Sequence, residues 1–178
     1  MKFSLYDHAA YGTSGLAGVE VTLERPSEST LQLRYAVTGR ISHLIIPAPA
    51  EPLRTDGLWR ATCFEFFLRP SGSSAYREFN FSPSGQWAAY EFSGYRRGMH
   101  NAYLVAEPEI RTSTKADRFE LLAKLSLDLP GQPHEIGLSA VVESVVGKSY
   151  WAISHPSGAP DFHHDCCFAA KLPPARAP

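Results

Sequence analysis

Apolar and polar residues alternate along most of this chain with the period of two that a β-strand imposes on its side chains. Candidate strands fall at 19–25, 30–37, 42–46, 61–68, 76–81, 87–92, 103–110, 118–127, 135–143, 149–154 and 167–172. Turn-forming clusters separate them, among them Arg25-Pro26-Ser27, Pro70-Ser71-Gly72, Pro83-Ser84-Gly85, Pro130-Gly131 and Pro156-Ser157-Gly158. Pro47, Pro49 and Pro52 make 47–57 an extended connection, because proline cannot donate to a strand ladder. No apolar stripe at helical spacing persists for three turns. The pattern predicts an all-β fold, an antiparallel β-sandwich or jelly roll that is immunoglobulin-like in its overall two-sheet architecture. One domain is expected over 1–172, with a frayed tail at 173–178.

The face pattern of the central strands carries the functional signal. In 61–68 the even positions Thr62, Phe64, Phe66 and Leu68 form an apolar row suited to a core. Cys63, Glu65 and Phe67, with Trp59 before them, then share the opposite face. Aligning Phe79 and Phe81 with the apolar row sets Glu78 and Asn80 beside Glu65. In the third strand Tyr90 and Phe92 are expected in the core, with Trp87 and Glu91 on the polar side. Carboxylates, an amide and indoles on one face describe a polar ligand cleft made by Trp59, Glu65, Glu78, Asn80 and Trp87. Arg96, at its rim, offers a fork of donors to hydroxyl or carboxylate groups.

A second dense region, WAISHPSGAPDFHH, runs from Trp151 to His164. Trp151 and His155 are four apart, so on one strand both face the same side, and Trp151 becomes a second indole for the cleft. A core anchor is the competing role for Trp151. Asp161 is placed to cap the turn after Pro160. His155, His163 and Asp161 are competent metal ligands in kind, but their spacing is no recognised motif, and His163 and His164 point apart in an extended chain.

Charge and composition narrow the partners. The 178 residues carry 17 Lys and Arg against 18 Asp and Glu, for a net charge of −1, which gives no pull toward nucleic acid or anionic membrane. Asp7 and His8 interrupt the opening residues, so no signal-like apolar segment is read there and a cytoplasmic location is expected. Of three cysteines, Cys166 and Cys167 are adjacent, which favours reduced thiols over a disulfide framework. No nucleophile–base motif or phosphate loop is present. Glu65 and Glu78 resemble the carboxylate pair of a glycoside hydrolase, yet paired acids arise equally as ligand contacts, and the reading is not an enzyme.

The run Trp59-Arg60-Ala61-Thr62-Cys63-Phe64-Glu65-Phe66-Phe67-Leu68, followed by Phe79-Asn80-Phe81-Ser82-Pro83-Ser84-Gly85, resembles the DOMON-like superfamily, which takes in the family 9 carbohydrate-binding modules. With Tyr90-Glu91-Phe92-Ser93-Gly94-Tyr95-Arg96 and the stretch from His155-Pro156 through Pro160-Asp161-Phe162-His163, the chain looks like a bacterial DOMON-like subgroup of unknown function. The resemblance covers 58–98 and 151–168. It implies a β-sandwich that binds a sugar or haem without chemistry of its own. In the carbohydrate-binding relatives two tryptophans sandwich a sugar beside an acid; Trp59 and Glu65 match the first tryptophan and the acid, and Trp151 the second tryptophan. In haem-binding relatives a Met and a His ligate iron, which points to Met99 with His155 or His163. The leading expectation is therefore a non-catalytic domain that binds a carbohydrate or similar polar ligand without a cofactor, through Trp59, Glu65, Glu78, Asn80, Trp87, Arg96, Trp151 and His155. A haem or metal domain is the first alternative, and a protein-interaction domain without a small-molecule site the second.

Overall fold

A computed structural model describes residues 1–11, 15–129 and 133–172. The expected Pro130-Gly131 turn and the tail at 173–178 lie outside the described residues. The strands are β1 (Lys2–Asp7), β2 (Leu16–Ser27), β3 (Thr30–Gly39), β4 (Cys63–Pro70), β5 (Tyr76–Phe81) and β6 (Trp87–Phe92). They continue with β7 (His100–Asn101), β8 (Glu109–Thr114), β9 (Arg118–Ser126), β10 (His134–Ser144), β11 (Gly147–Ala152) and β12 (Ala170–Lys171). Every pairing between them is antiparallel, and among the described residues there is no α-helix, only short 3₁₀ turns.

The sheet runs in the order β7-β6-β5-β4-β10-β11-β1-β2-β3-β9-β8, with β12 attached to β10. It curls over so that its two halves face each other as layers. The hinge of the curl is β1, whose residues Lys2 to Leu5 pair with β2 while Tyr6 and Asp7 pair with β11. Between the layers lies the main core. One layer contributes Val19, Val21, Leu23, Leu31, Leu33, Tyr35, Phe119 and Leu121; the other contributes Phe64, Phe66, Phe79, Phe81, Ile136, Leu138 and Val142. Tyr35 brings a hydroxyl into this interior, and it donates to the backbone oxygen of Glu65 at 2.7 Å.

The second layer is apolar on both sides. A further cluster of Phe67, Tyr76, Ala88, Tyr90, Phe92, Val141, Phe162 and Phe168 covers its outer face. The 3₁₀ turn Asp165–Cys167 packs closely there: a Cβ on Gly137 would stand 3.0 Å from the carbonyl oxygen of Cys167. Glycine is what lets that turn lie on β10.

Two tryptophans expected in the cleft, Trp87 and Trp151, stand on the core side, which for Trp151 is its competing role. Directly paired residues of antiparallel strands share a face. The five-residue 82–86 turn, with Gly85 at φ 93°, pairs Phe81 with Trp87 and Phe79 with Ala89. Trp87 therefore enters the core with Phe81, and Tyr90 takes the outer face. Trp151 is set by its pairing with Ala140 in the same way; it is 6% exposed in the core and its indole donates to Ser149 Oγ at 2.8 Å.

Other differences lie at the edges. No strand forms at 42–46, where a 3₁₀ turn at Ile41–His43 is followed by an isolated bridge from Leu44 to Ser144. The strand expected at 103–110 starts at Glu109 instead. As an edge strand exposed almost throughout, it carries no apolar alternation to mark it. In place of a strand at 167–172 there is only the two-residue β12.

Trp87→Ala is expected to destabilise the fold by about 3–5 kcal/mol, as aromatic deletions in packed cores do. Trp59→Ala, at a 40% exposed position, is expected to cost at most about 1 kcal/mol. Urea unfolding of both variants checks the assignment, and equal losses would contradict it.

Candidate functional site

The outer face of the second layer is built from rows set by strand register. One row runs Ala152–Ser139–Glu65–Asn80–Ala88 across β11, β10, β4, β5 and β6. The next runs Gly137–Phe67–Glu78–Tyr90. Small side chains on both flanks of Glu65 and Asn80 leave a depression, and larger ones wall it in. The resulting cavity has a volume of about 490 Å³ and is lined by Trp59, Glu65, Glu78, Tyr90, Phe92, Arg96, Met99, Val141, Tyr150, Pro160, Phe162 and His163.

Three segments outside the sheet close its rim. The 3₁₀ turn Leu58–Arg60 presents Trp59, whose ring stands edge-on to Tyr90 at 6.3 Å. The connection from β6 to β7 presents Arg96, in a left-handed conformation at φ 52°, and Met99. The 160–163 segment adds Pro160, Phe162 and His163. Asp161 ties the last two segments together: it accepts from Arg96 Nη2 at 2.7 Å, from the Tyr95 hydroxyl, and from the His163 backbone N–H at 3.1 Å. Burial works against ionisation of Asp161, but the bonds from Tyr95 and Arg96 outweigh it and hold the carboxyl below its usual range.

Glu65 and Glu78 sit on the floor. They are diagonal neighbours across β4 and β5, a relation that sets backbones about 7–8 Å apart. Glu65 is 3% exposed and Glu78 5%. One oxygen of Glu65 accepts from Ser139 Oγ at 3.3 Å, and Glu78 accepts from Asn80 Nδ2 at 2.7 Å. Asn80 is held in turn by Cys63 Sγ at 3.7 Å from its Oδ1. Among the described residues no lysine or arginine pairs with either carboxylate. Burial, reinforced by the charge of Glu78, pushes Glu65 well above the carboxylate range; burial raises Glu78 to about 7.

His163 does not neutralise them. Its burial, helped by the positive charge of Arg96, lowers its pKa to about 4, so the imidazole is neutral at ordinary pH. The Tyr76 hydroxyl accepts from the Arg96 backbone N–H at 3.2 Å and lies 2.8 Å from His163 Nδ1; with the hydroxyl donating there, the Nδ1 of the neutral imidazole is its acceptor. The remaining proton is then on Nε2, which faces Glu78 Oε2 at 3.6 Å as a dipole and not as an ion pair.

The structure gathers Trp59, Glu65, Glu78 and Arg96 at one cavity, with Asn80 beneath Glu78. Trp87 and Trp151 do not reach it; both are core residues on the other side of the sheet. His155 also lies apart: its Nε2 approaches the Tyr6 carbonyl at 2.8 Å and its ring packs edge-on to His8 at 4.9 Å. Tyr90, Tyr150 and Phe162 are lining residues that sequence reasoning missed. The parity of the 82–86 turn was the signal for Tyr90; nothing local announces the other two.

The residues do not suit haem. Met99 is on an exposed rim, His163 is engaged with Tyr76 and turns its other nitrogen to Glu78, and His155 is outside the cavity. Two buried carboxylates on the floor are the opposite of the apolar pocket a porphyrin requires. Among the described residues no group of three His, Cys, Asp or Glu could hold a metal ion, and no helix is long and apolar enough to cross a membrane.

No family model matches this chain, and no curated protein does. Solved structures share its fold. A candidate carbohydrate-binding protein from Bacteroides uniformis superposes with a TM-score of 0.72 at 13% identity, over 94% of this chain and 83% of that one. A family 9 carbohydrate-binding module from Caldicellulosiruptor kristjanssonii is similar in two complexes. With glucose the TM-score is 0.56 at 11% identity, over 98% of this chain and 86% of that one; with cellotriose it is 0.53 at 11%, over 88% and 75%. The likeness extends over nearly the whole chain and establishes the all-β sandwich.

The raised carboxylates make stability depend on pH in a defined direction. Folding favours the protonated form of Glu78, so this stabilisation is complete below the ordinary value of 4.5 and is lost as pH rises toward about 7. Glu78→Gln is expected to flatten that decline, raising stability at pH 8 relative to pH 4 by on the order of 3 kcal/mol against the native chain. Urea unfolding at the two pH values measures it, and an unaltered slope would contradict the assignment.

Proposed function

We propose that this protein is a non-catalytic carbohydrate-binding domain of the DOMON-like kind, spanning 1–172, with the cavity at Glu65 and Glu78 as its ligand site. The observation that carries the proposal is the pairing of an aromatic wall with a hydrogen-bonding floor. The exposed indole of Trp59, with Tyr90, Tyr150 and Phe162, can cover the C–H faces of a pyranose ring. Beneath it, a carboxyl that keeps its proton both donates and accepts, which suits sugar hydroxyls that do the same.

One further point supports the reading: a family 9 carbohydrate-binding module solved with glucose and with cellotriose shares the fold.

Calorimetric titration of a panel of neutral sugars that includes glucose and cellotriose tests the proposal. Trp59→Ala is expected to weaken the best ligand by at least about ten-fold, the scale of losing a central aromatic contact. Native affinity in Trp59→Ala, with Glu65→Gln equally silent, would remove this cavity from the account.

A further inference from the structure

Glu65 and Glu78 lack a counter-ion, and the charges around them explain why. Arg96 lines the cavity and its charge reaches both carboxyls, but its guanidinium is bonded to Asp161 and forms no ion pair with either. Arg54, stacked over the Tyr90 ring at 5.3 Å, is bonded to Asp56. His163 is neutral. One oxygen of Glu65 has no donor at all among the described residues, although the side chain is almost wholly buried and borders the cavity. A structural carboxylate in such a place is normally paired or fully hydrogen-bonded. Here the open valence faces a cavity large enough for a ligand.

We infer that the ligand of this cavity carries a protonated amine, as an amino sugar does, and that its ammonium group sits between Glu65 and Glu78. This deepens the carbohydrate reading and rests on it for the sugar. The ammonium supplies the positive charge the floor lacks, and three N–H donors meet the free oxygen of Glu65 and the Glu78 carboxylate. The aromatic lining strengthens the preference, because indole and phenol rings attract cations. Meanwhile Arg96 and Asp161 stay paired at the rim.

Binding then has a protonic signature. In the free protein the floor holds a proton in place of a cation; when the ammonium enters, that proton leaves the carboxyl for the buffer. The other titratable groups that face the pair do not supply it. Cys63, Tyr76 and Tyr90 are all shifted upward and stay protonated, His163 is already neutral, and Asp161 and Arg96 remain ionised.

Calorimetry on the full chain near pH 7 with glucosamine, glucose and N-acetylglucosamine tests the inference, in two buffers of different ionisation heat. Glucosamine is expected to bind at least about ten-fold more tightly than either neutral sugar, the lower end of a buried charge pair's contribution. Its apparent heat is expected to differ between buffers in the sense of proton release. The double substitution Glu65→Gln with Glu78→Gln is expected to erase the glucosamine preference, with circular dichroism reporting whether it folds; the native buffer comparison stands without it. Glucosamine binding no tighter than glucose would overturn the inference and leave the carbohydrate reading intact. Failure of all three sugars would overturn the inference as well, while binding of neutral glycans from the wider panel alone would confine the failure to it.

Discussion

Phe64, Phe66 and Leu68 belong to the apolar interior between the layers, and a β-strand cannot place them there without turning Cys63, Glu65 and Phe67 to the other side. Everything at the cavity follows from that alternation. The ladder to β5 sets Asn80 opposite Glu65 and Glu78 one step along, and the ladder to β10 sets Ser139 on the far flank. Sliding any of these strands by one residue would drive phenylalanines outward and carboxylates into the core, at a cost far above the stability of a domain this size. The carboxylate pair is therefore held as firmly as the core itself.

Around that fixed floor the loops do the covering. Burying two carboxyl groups is unfavourable, and the chain meets the cost by retaining protons and by single hydrogen bonds from Ser139 and Asn80. Arg96 adopts a left-handed backbone, worth roughly 1–2 kcal/mol of strain in a residue with a side chain. Its guanidinium bond to Asp161 and its N–H to Tyr76 offset that strain and latch the two rim segments together. Strain and buried carboxyls without an ion-pair partner, concentrated around one cavity, mark a place shaped for something other than stability.

The sequence made part of this legible. Alternation in β4 and β5 was strong enough to identify the face of Glu65, Glu78 and Asn80, because large aromatics filled one side and polar groups the other. In β6 Glu91 marks the Trp87 side as polar, although its carboxylate lies at the strand's end paired with Arg77, so alternation points the wrong way and the five-residue turn decides the face. That is why Trp87 and Tyr90 were exchanged. Of the two roles open to Trp151, second indole of the cleft or core anchor, its pairing with Ala140 selects the core. Tyr150 and Phe162 reach the cavity through long-range pairing and loop closure, which leave no local trace in composition or spacing.

The account turns on a ligand lying between Trp59 and the carboxylate pair. A crystal structure grown with glucosamine tests this most directly. The account predicts the pyranose ring against Trp59, with its ammonium within about 2.7–3.2 Å of oxygens from both Glu65 and Glu78. A sugar bound elsewhere on the surface, with Glu65 and Glu78 still holding only their own partners, would contradict it.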